Sequence, residues 1–302
     1  MRIILLGPQR RPTLEGVARS LGLSGPVATI TAGWQEREPD DAELSSLLLS
    51  AGGGAGGRAV NLALYRRWLE VRDRDPEYRA GERELAGVLA DLQEVYLLRL
   101  DYAVQAVYAV QRRSAGVFDE AVAEAVEAVR ELDAAHLSQV NGLRGEFFAR
   151  LEPHARPVIA EHRAEVSAVL ADAAALVITG GHVGVLTEVL HLFNVAAALQ
   201  AGSSVIAWSA GAMALADRIV LFGDRSPRGP GHAEVYGSGL SLLRDVVLLP
   251  HARARLLLDD APRMAVLAWR FAPARCVPLE AGTRIDVEDG RWPGGIRTIE
   301  AA

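Results

Sequence analysis

The chain has 302 residues, of which half are apolar and 23% are charged, with a net charge of −6 at neutral pH. Such a large apolar fraction supports a sizeable core and excludes a globally disordered protein. The acidic balance, without a basic stripe that carries interleaved aromatic residues, argues against a nucleic-acid binder. The single cysteine, Cys276, excludes an intramolecular disulfide and a cysteine-rich zinc site.

The apolar runs of the chain are all shorter than the roughly 18–20 residues that span a bilayer, so no membrane segment is predicted. The opening run, residues 1–7, is too short for a signal peptide. These features predict a cytoplasmic protein without a membrane partner.

The first thirty residues have the pattern of a β-α-β unit. Residues 2–7 are apolar at successive positions, as in a strand that is buried on both faces of a parallel sheet. A helical pattern begins at Leu14 and ends before Gly22, and a second apolar run follows at residues 27–31. This start favours an α/β sheet with right-handed crossovers. The polar stretch 34–41 lies just past a strand, where α/β proteins place their sites, but a solvated loop is the favoured interpretation.

Residues 61–171 change character, because they are rich in Ala, Leu, Val, Glu and Arg at helical spacing. We expect three to five helices without a strand, inserted in a single α/β domain that spans residues 1–302. Aromatic residues such as Tyr96 and Tyr102 are typical of a core or of a dimer face, which leaves a homodimer open. The histidines here are too scattered to indicate a metal site.

Sheet character returns at residues 174–179, which are followed by Gly180, Gly181 and His182. After a further helical pattern, residues 203–208 form the next predicted strand. Parallel strands joined by a helix place their carboxyl ends at one edge of the sheet. The double glycine and Ser209 are therefore expected to meet there.

Ser209 follows its strand directly, within the sequence Ala207-Trp208-Ser209-Ala210-Gly211. Small neighbours permit the sharp strand-to-helix turn of a nucleophile elbow, here with Ala in place of the first glycine of G-x-S-x-G. In that arrangement the N–H of Ala210 points at the group that the serine attacks, and a second N–H comes from a neighbouring loop.

A serine hydroxyl needs a base within hydrogen-bond reach and an acid that orients this base. The apolar run 246–250 delivers His251 at its end, and Asp224 lies between the serine and the histidine. Glu234 and Asp245 also lie between them and are alternative acids. The order Ser–Asp–His also occurs in α/β-hydrolases. There a strand and a helix usually separate the first two, and the 15 residues from Ser209 to Asp224 leave little room for them.

Two further elements are predicted near the carboxyl end. Residues 264–271 form a continuous apolar run and are expected to be a strand. Asp289 and Gly290 are a hairpin signal within residues 285–292.

These motifs resemble those of the peptidase E and cyanophycinase family of serine peptidases. The resemblance lies in the strand that ends in Gly-Gly, in W-S-A-G-A at 208–212, in the acidic residue 15 positions after the serine, and in G-L-S-L-L with P-H at 239–243 and 250–251. It implies a fold similar to class I glutamine amidotransferases, a mostly parallel sheet flanked by helices. It also implies Ser209 as nucleophile, His251 as base, Asp224 as orienting acid, and the N–H groups of Gly181 and Ala210 as the oxyanion hole.

The resemblance has two departures. His182 stands where the family usually has Asn, and residues 280–283 read E-A-G-T where the cyanophycinase branch tends to have D-E-G-T. His182 either faces the substrate or caps the following helix. Trp208, Arg225 and Arg253 complete the expected substrate contacts, the arginines because guanidinium groups grip carboxylates.

The sequence therefore predicts a serine hydrolase that cleaves a small peptide or amide through an acyl-enzyme. Family members act on short acidic peptides or on a β-aspartyl-arginine polymer. The alternatives are a non-hydrolytic member that binds a small ligand or a partner, and an acyl or amide transferase. A glutamine amidotransferase is disfavoured because its elbow carries cysteine. No metal or organic cofactor is expected.

Overall fold

A computed structural model describes residues 1–9, 13–23, 25–51, 58–114, 119–200, 202–223 and 231–300. In these ranges the strands are β1 (Arg2–Leu6), β2 (Val27–Ile30), β3 (Ala59–Asn61), β4 (Ala175–Ile178), β5 (Ser204–Trp208), β6 (Ile219–Leu221), β7 (Glu234–Gly237), β8 (Val246–Pro250), β9 (Arg275–Leu279) and β10 (Arg284–Glu288). The helices are α1 (Leu14–Leu21), α2 (Ala42–Ala51), α3 (Leu64–Arg74), α4 (Pro76–Ser114), α5 (Asp119–Leu151), α6 (Pro157–Asp172), α7 (Val183–Leu192), α8 (Val195–Ala198), α9 (Ala210–Leu215), α10 (Ala252–Arg255) and α11 (Ala261–Phe271), with 3₁₀ turns at Ala32–Arg37 and Pro153–Ala155.

The central sheet has the order β10-β1-β5-β4-β2-β3. Its strands β1 to β5 run parallel, and β10 pairs antiparallel with β1 at one edge. All four residues of β2 and of β4 are buried, because helices cover both faces. The predicted fold class, a mostly parallel α/β sheet flanked by helices with a long helical insertion, is confirmed.

The insertion consists of α3, α4, α5 and α6, with no strand in the described residues between β3 and β4. This number of helices lies within the predicted range. At its base, Tyr78 and Phe147 pack in the same apolar core as Ile178 of the sheet. Further out, Val107 and Val129 pack with Val247, Phe271 and their neighbours. The long α4–α5 pair therefore lies against the α/β body at both levels.

An ion pair between helices fixes this packing. Arg270 of α11 donates to both carboxylate oxygens of Asp133 in α5, at 2.7 Å each, and to the Tyr96 hydroxyl of α4 at 3.1 Å. The Tyr96 hydroxyl in turn donates to Asp133 and accepts the N–H of Val235 in β7. Arg270 and Asp133 are only 4% and 2% exposed. The guanidinium of Arg270 and the hydroxyl of Tyr96 thus link α4, α5, α11 and β7 in one buried hydrogen-bond network.

The expectation of a strand at residues 264–271 was wrong, because this run is part of α11. Asp260 caps the helix by accepting the N–H of Arg263, and Pro262 occupies its first turn. Both are helix-start signals. The buried positions Met264, Leu267 and Phe271 follow the helical period. The predicted turn at Asp289 is present, since Glu288 pairs antiparallel with Arg291.

In the described part of the chain, no helix combines the length and the apolar character that crossing a bilayer requires.

Candidate functional site

Ser209 lies at the junction of β5 and α9, as predicted, with φ 51° and ψ −123°. Residues other than glycine rarely adopt this backbone conformation, and holding it costs about 1–3 kcal/mol. The small residues around the serine make the turn possible. A Cβ on Gly211 would collide with the carbonyl oxygens of Ile178 and Thr179, so only glycine lets α9 approach β4 this closely.

The double glycine after β4 packs directly against this serine. A Cβ on Gly180 would lie 2.8 Å from the Cβ of Ser209 and 3.4 Å from its Oγ. Gly181 has φ 127°, a backbone conformation in which a residue with a side chain would be strained. The loop is held from the β2 side, because the N–H of His182 donates to the carbonyl of Gly33 at 2.7 Å. The expected meeting of the two loops at one sheet edge is therefore observed.

Two N–H groups beside Ser209 are available as donors. Within the described ranges, neither Gly181 nor Ala210 donates its backbone N–H to an acceptor. Unpaired N–H groups next to a candidate nucleophile are what an oxyanion hole consists of. The Ser209 side chain is half-buried, and its hydroxyl makes no hydrogen bond to any residue that the structure describes.

His251 follows β8 and has a left-handed backbone with φ 59°. Its N–H donates to the carbonyl of Leu279 at the end of β9, at 3.1 Å. The next residue along β9, Glu280, accepts the N–H of Arg253 through Oε1 at 2.6 Å. Glu280 thereby anchors the turn that carries the histidine.

The same turn lies at the Ser209 edge of the sheet. The Glu280 carbonyl is in contact with Gly7, where a Cβ could not be accommodated. Gly7 directly follows β1, and β1 pairs with β5 in a register that places Leu6 beside Trp208. His251 thus lies at the carboxyl ends of the strands that surround Ser209, but the two side chains are not hydrogen-bonded to each other.

The candidate acids have different positions. Asp224, together with the substrate-contact candidate Arg225, lies outside the described residues. Asp245 precedes β8 while His251 follows it, so a five-residue strand about 16 Å long lies between them. Glu234 begins β7, where burial raises the pKa of its carboxyl group.

The remaining predicted contact residues lie in three environments. His182 caps α7, because its Nδ1 accepts the N–H of Val185 at 3.1 Å. Trp208 is 8% exposed and packs in the core beside Leu6 and Leu14. Arg253 is exposed on the turn after His251.

The segment after β2 contains a strained residue and a buried carboxylate, although the sequence favoured a solvated loop there. Gln35 has φ 57° and ψ −123°, the same backbone conformation as Ser209. Glu38 is buried and accepts the N–H groups of Tyr65 and Arg66, both at 2.9 Å, at the start of α3. Burial raises the pKa of Glu38. The only signal was the position of these residues just past a strand.

A cavity of about 470 Å³ lies next to the double glycine, between the helical insertion and the start of α7. His182, Gly184 and Tyr236 line it, whereas Ser209 and His251 do not. Burial raises the pKa of the Tyr236 hydroxyl. In the described ranges, no group of three or more His, Cys, Asp or Glu residues is placed to hold a metal ion.

Comparisons with known proteins add little to this description. No protein-family model matches the chain, and no curated protein matches it. Among solved structures, a peptidase from an acI-B1 Actinobacterium is 12% identical, with all of this chain aligned to 91% of that one at a TM-score of 0.47. A similarity this low carries no argument about the activity of this chain.

Proposed function

We propose that the protein is a serine hydrolase that cleaves a small peptide or amide through Ser209. The observation that carries the proposal is the strained backbone of this serine, φ 51° and ψ −123°, between a parallel strand and a helix. Strain of this kind persists where the surrounding structure enforces it, and it is concentrated at active sites. The N–H groups of Ala210, which follows the serine, and of Gly181, which follows the glycine that packs against it, have no acceptor among the described residues and support the same proposal.

In the proposed reaction the Ser209 Oγ attacks the carbonyl carbon of the scissile bond while His251 accepts the hydroxyl proton. The N–H groups of Gly181 and Ala210 stabilise the negative charge that develops on the carbonyl oxygen. Collapse of the intermediate breaks the C–N bond, and His251 returns its proton to the leaving amine. Water then attacks the acyl-enzyme with His251 as base, which releases the acid and restores the serine.

The resemblance of the motifs supports finer assignments within this proposal. Asp224 is the proposed orienting acid of His251, and the activity is of the peptidase E or cyanophycinase type. Transfer of the acyl group to an acceptor other than water would use the same residues. The proposed substrate contacts are His182, Trp208, Arg225 and Arg253.

One observation favours a second candidate function, a non-hydrolytic protein that binds a ligand or a partner at this edge. In the described residues, the Ser209 hydroxyl has no base within hydrogen-bond distance. Catalytic hydrogen bonds often shorten only when substrate binds, so the hydrolase proposal is also compatible with this geometry.

Reaction with a fluorophosphonate distinguishes them. We expect the folded protein to take up one phosphonyl group at Ser209, mapped by mass spectrometry, and the reaction to fail in Ser209→Ala and His251→Ala. Ser241→Ala is the matched control, because Ser241 is an exposed serine that also has a positive φ of 55°. A folded protein that does not react would support the binding function instead.

A further inference from the structure

The cavity beside the double glycine is close enough to Ser209 to hold part of a substrate. Gly180 packs against the serine, and the cavity wall begins two residues later at His182. Two residues of extended chain span at most about 7 Å. The cavity volume of about 470 Å³ lies within the range of small-molecule sites in proteins, about 300–1,000 Å³.

The walls of this cavity are mainly apolar. They come from one face of α4, from α5 and from the start of α7, and include Leu85, Leu89, Val140 and Val185. Leu85 and Val140 are buried, and the other two are half-buried. Apolar walls favour an apolar group of the ligand, because its transfer from water is worth about 25 cal/mol per Å².

Two of the three arginines that line the cavity form ion pairs with carboxylates that also line it. Arg72 pairs with Glu82 at 3.0 Å, and its guanidinium lies 4.5 Å from the ring centre of Trp68. Arg144 pairs with Glu188 at 2.7 Å. Arg72 and Arg144 are thus already matched by carboxylates, whereas a third arginine, Arg83, lines the cavity from an exposed position of α4. A ligand carboxylate would have to displace Glu82 or Glu188 to pair with Arg72 or Arg144, which costs desolvation without a net gain in pairing.

Two polar groups on the side nearest Ser209 remain able to bond a ligand. In the described part of the chain, the Tyr236 hydroxyl has no hydrogen-bond partner, and it touches Gly184. Because Nδ1 of His182 accepts the N–H of Val185, the neutral imidazole carries its proton on Nε2. A hydroxyl and an N–H donor at the cavity wall suit the backbone amide of a peptide.

We propose that this cavity binds the bulky, uncharged side chain, aromatic or branched aliphatic, of the peptide or amide that reacts at Ser209. The proposal rests on the proposed function and names its substrate class. It departs from the acidic substrates that the family resemblance implies, because Arg72 and Arg144 are already paired with carboxylates and the walls around them are mainly apolar. Tyr236 and His182 hold the substrate backbone at the wall nearest the serine.

The test measures binding in the Ser209→Ala background, so that it does not depend on catalysis. Isothermal titration calorimetry compares two probes, N-acetyl-Ala-Phe-Ala-amide and N-acetyl-Ala-Asp-Ala-amide. We expect the phenylalanine peptide to bind about tenfold more tightly or better, as burial of one large apolar side chain provides.

Filling the cavity should remove this preference. Ala86 lines the cavity from an exposed position of α4, so Ala86→Trp adds bulk with little risk to folding. Ala106→Trp is the matched control, since Ala106 is exposed on the same helix and does not line the cavity. We expect the first variant to weaken binding of the phenylalanine peptide about tenfold or more and the second to leave it unchanged.

Equal or tighter binding of the aspartate peptide, undetectable binding of both peptides, or an Ala86→Trp variant with unchanged affinity would overturn the assignment. The proposed function is tested independently by the reaction of wild-type protein, which retains Ser209, with the fluorophosphonate. If the protein reacts at Ser209 but its Ser209→Ala variant prefers the aspartate peptide, the cavity assignment is wrong and the proposed hydrolase function stands.

Discussion

Polar groups lack hydrogen-bond partners at the sheet edge around Ser209, as far as the described residues show, whereas those of the ion pair between α5 and α11 are paired. At the edge, the serine backbone is strained, its hydroxyl has no partner among the described residues, and two N–H groups are left without acceptors there. In the ion pair, Asp133 and Arg270 are buried and every charged oxygen is hydrogen-bonded. The first arrangement costs stability and is suited to chemistry, whereas the second holds helices together.

The largest expected effect is at the edge. Ser209→Gly removes the hydroxyl and places the residue type that tolerates positive φ. We expect the rate of reaction with the fluorophosphonate to fall roughly 10⁴-fold or more, while the free energy of unfolding rises by about 1 kcal/mol. Ser241→Gly, at φ 55°, should gain similar stability without loss of rate. A Ser209→Gly protein that is less stable than wild type would show that the turn is not strained.

A substitution in the ion pair should lower the free energy of unfolding, whereas the substitution at Ser209 should raise it. Asp133→Asn leaves the buried Arg270 guanidinium without its counter-charge, so we expect a loss of about 3–5 kcal/mol in the free energy of unfolding, measured with urea. Glu127→Gln on the same helix breaks only an exposed pair with Arg130 and should change stability by less than about 0.5 kcal/mol. Equal losses of stability in the two variants would contradict the claim that the buried ion pair holds the helices together.

A smaller effect is expected where the two edge loops touch. Gly180→Ala places a Cβ 2.8 Å from the Cβ of Ser209, so the serine must shift. Displacement of a reacting group by about 1 Å typically costs on the order of 100-fold in rate, and we expect a loss of that size in the fluorophosphonate reaction. Gly142→Ala on α5 meets no atom within 4 Å and should leave the rate unchanged.

The smallest effect concerns acid sensitivity near the ion pair. His136 stacks on Tyr96 with ring centres 4.0 Å apart, and burial lowers the pKa of its imidazole below the ordinary 6.5, against a smaller opposing effect of Asp133. The unfolded chain therefore binds the proton more readily, and stability falls as the pH drops below about 6.5. We expect His136→Phe to lose less stability between pH 7.5 and 5.5 than wild type in urea unfolding.

The exposed His154 supplies the control for this comparison. His154→Phe should show the same loss on acidification as wild type. A His136→Phe protein that is as acid-sensitive as wild type would assign the effect to other histidines, among them the buried His162 and the half-buried His191, whose pKa values desolvation also lowers.

Local pattern was enough to predict the parts of the fold that depend on near neighbours. The buried parallel strands, the glycines at their ends and the turn at Ser209 follow from residues within a few positions of each other. The apolar run 264–271 could not be distinguished from a strand by its hydrophobicity, because the deciding signals were Asp260 and Pro262 upstream.

Contacts between distant parts of the chain were not predictable in this way. Asp133 and Arg270 are 137 positions apart, and nothing in either neighbourhood indicates the other. The cap that Glu38 provides for α3, the anchor that Glu280 provides for the His251 turn, and the cavity likewise depend on tertiary packing. The burial of Trp208 in the core was likewise not indicated by its neighbours in sequence, whereas the cap that His182 provides for α7 was one of the two roles expected for it.

The most direct test of the account is a crystal structure of the protein after reaction with a fluorophosphonate. We predict a phosphonyl group on the Ser209 Oγ, with its oxygen about 2.7–3.1 Å from the backbone nitrogens of Gly181 and Ala210. An adduct on another residue, or one at Ser209 whose oxygen points away from both N–H groups, would contradict the claim that this sheet edge is a preorganised site for acyl transfer.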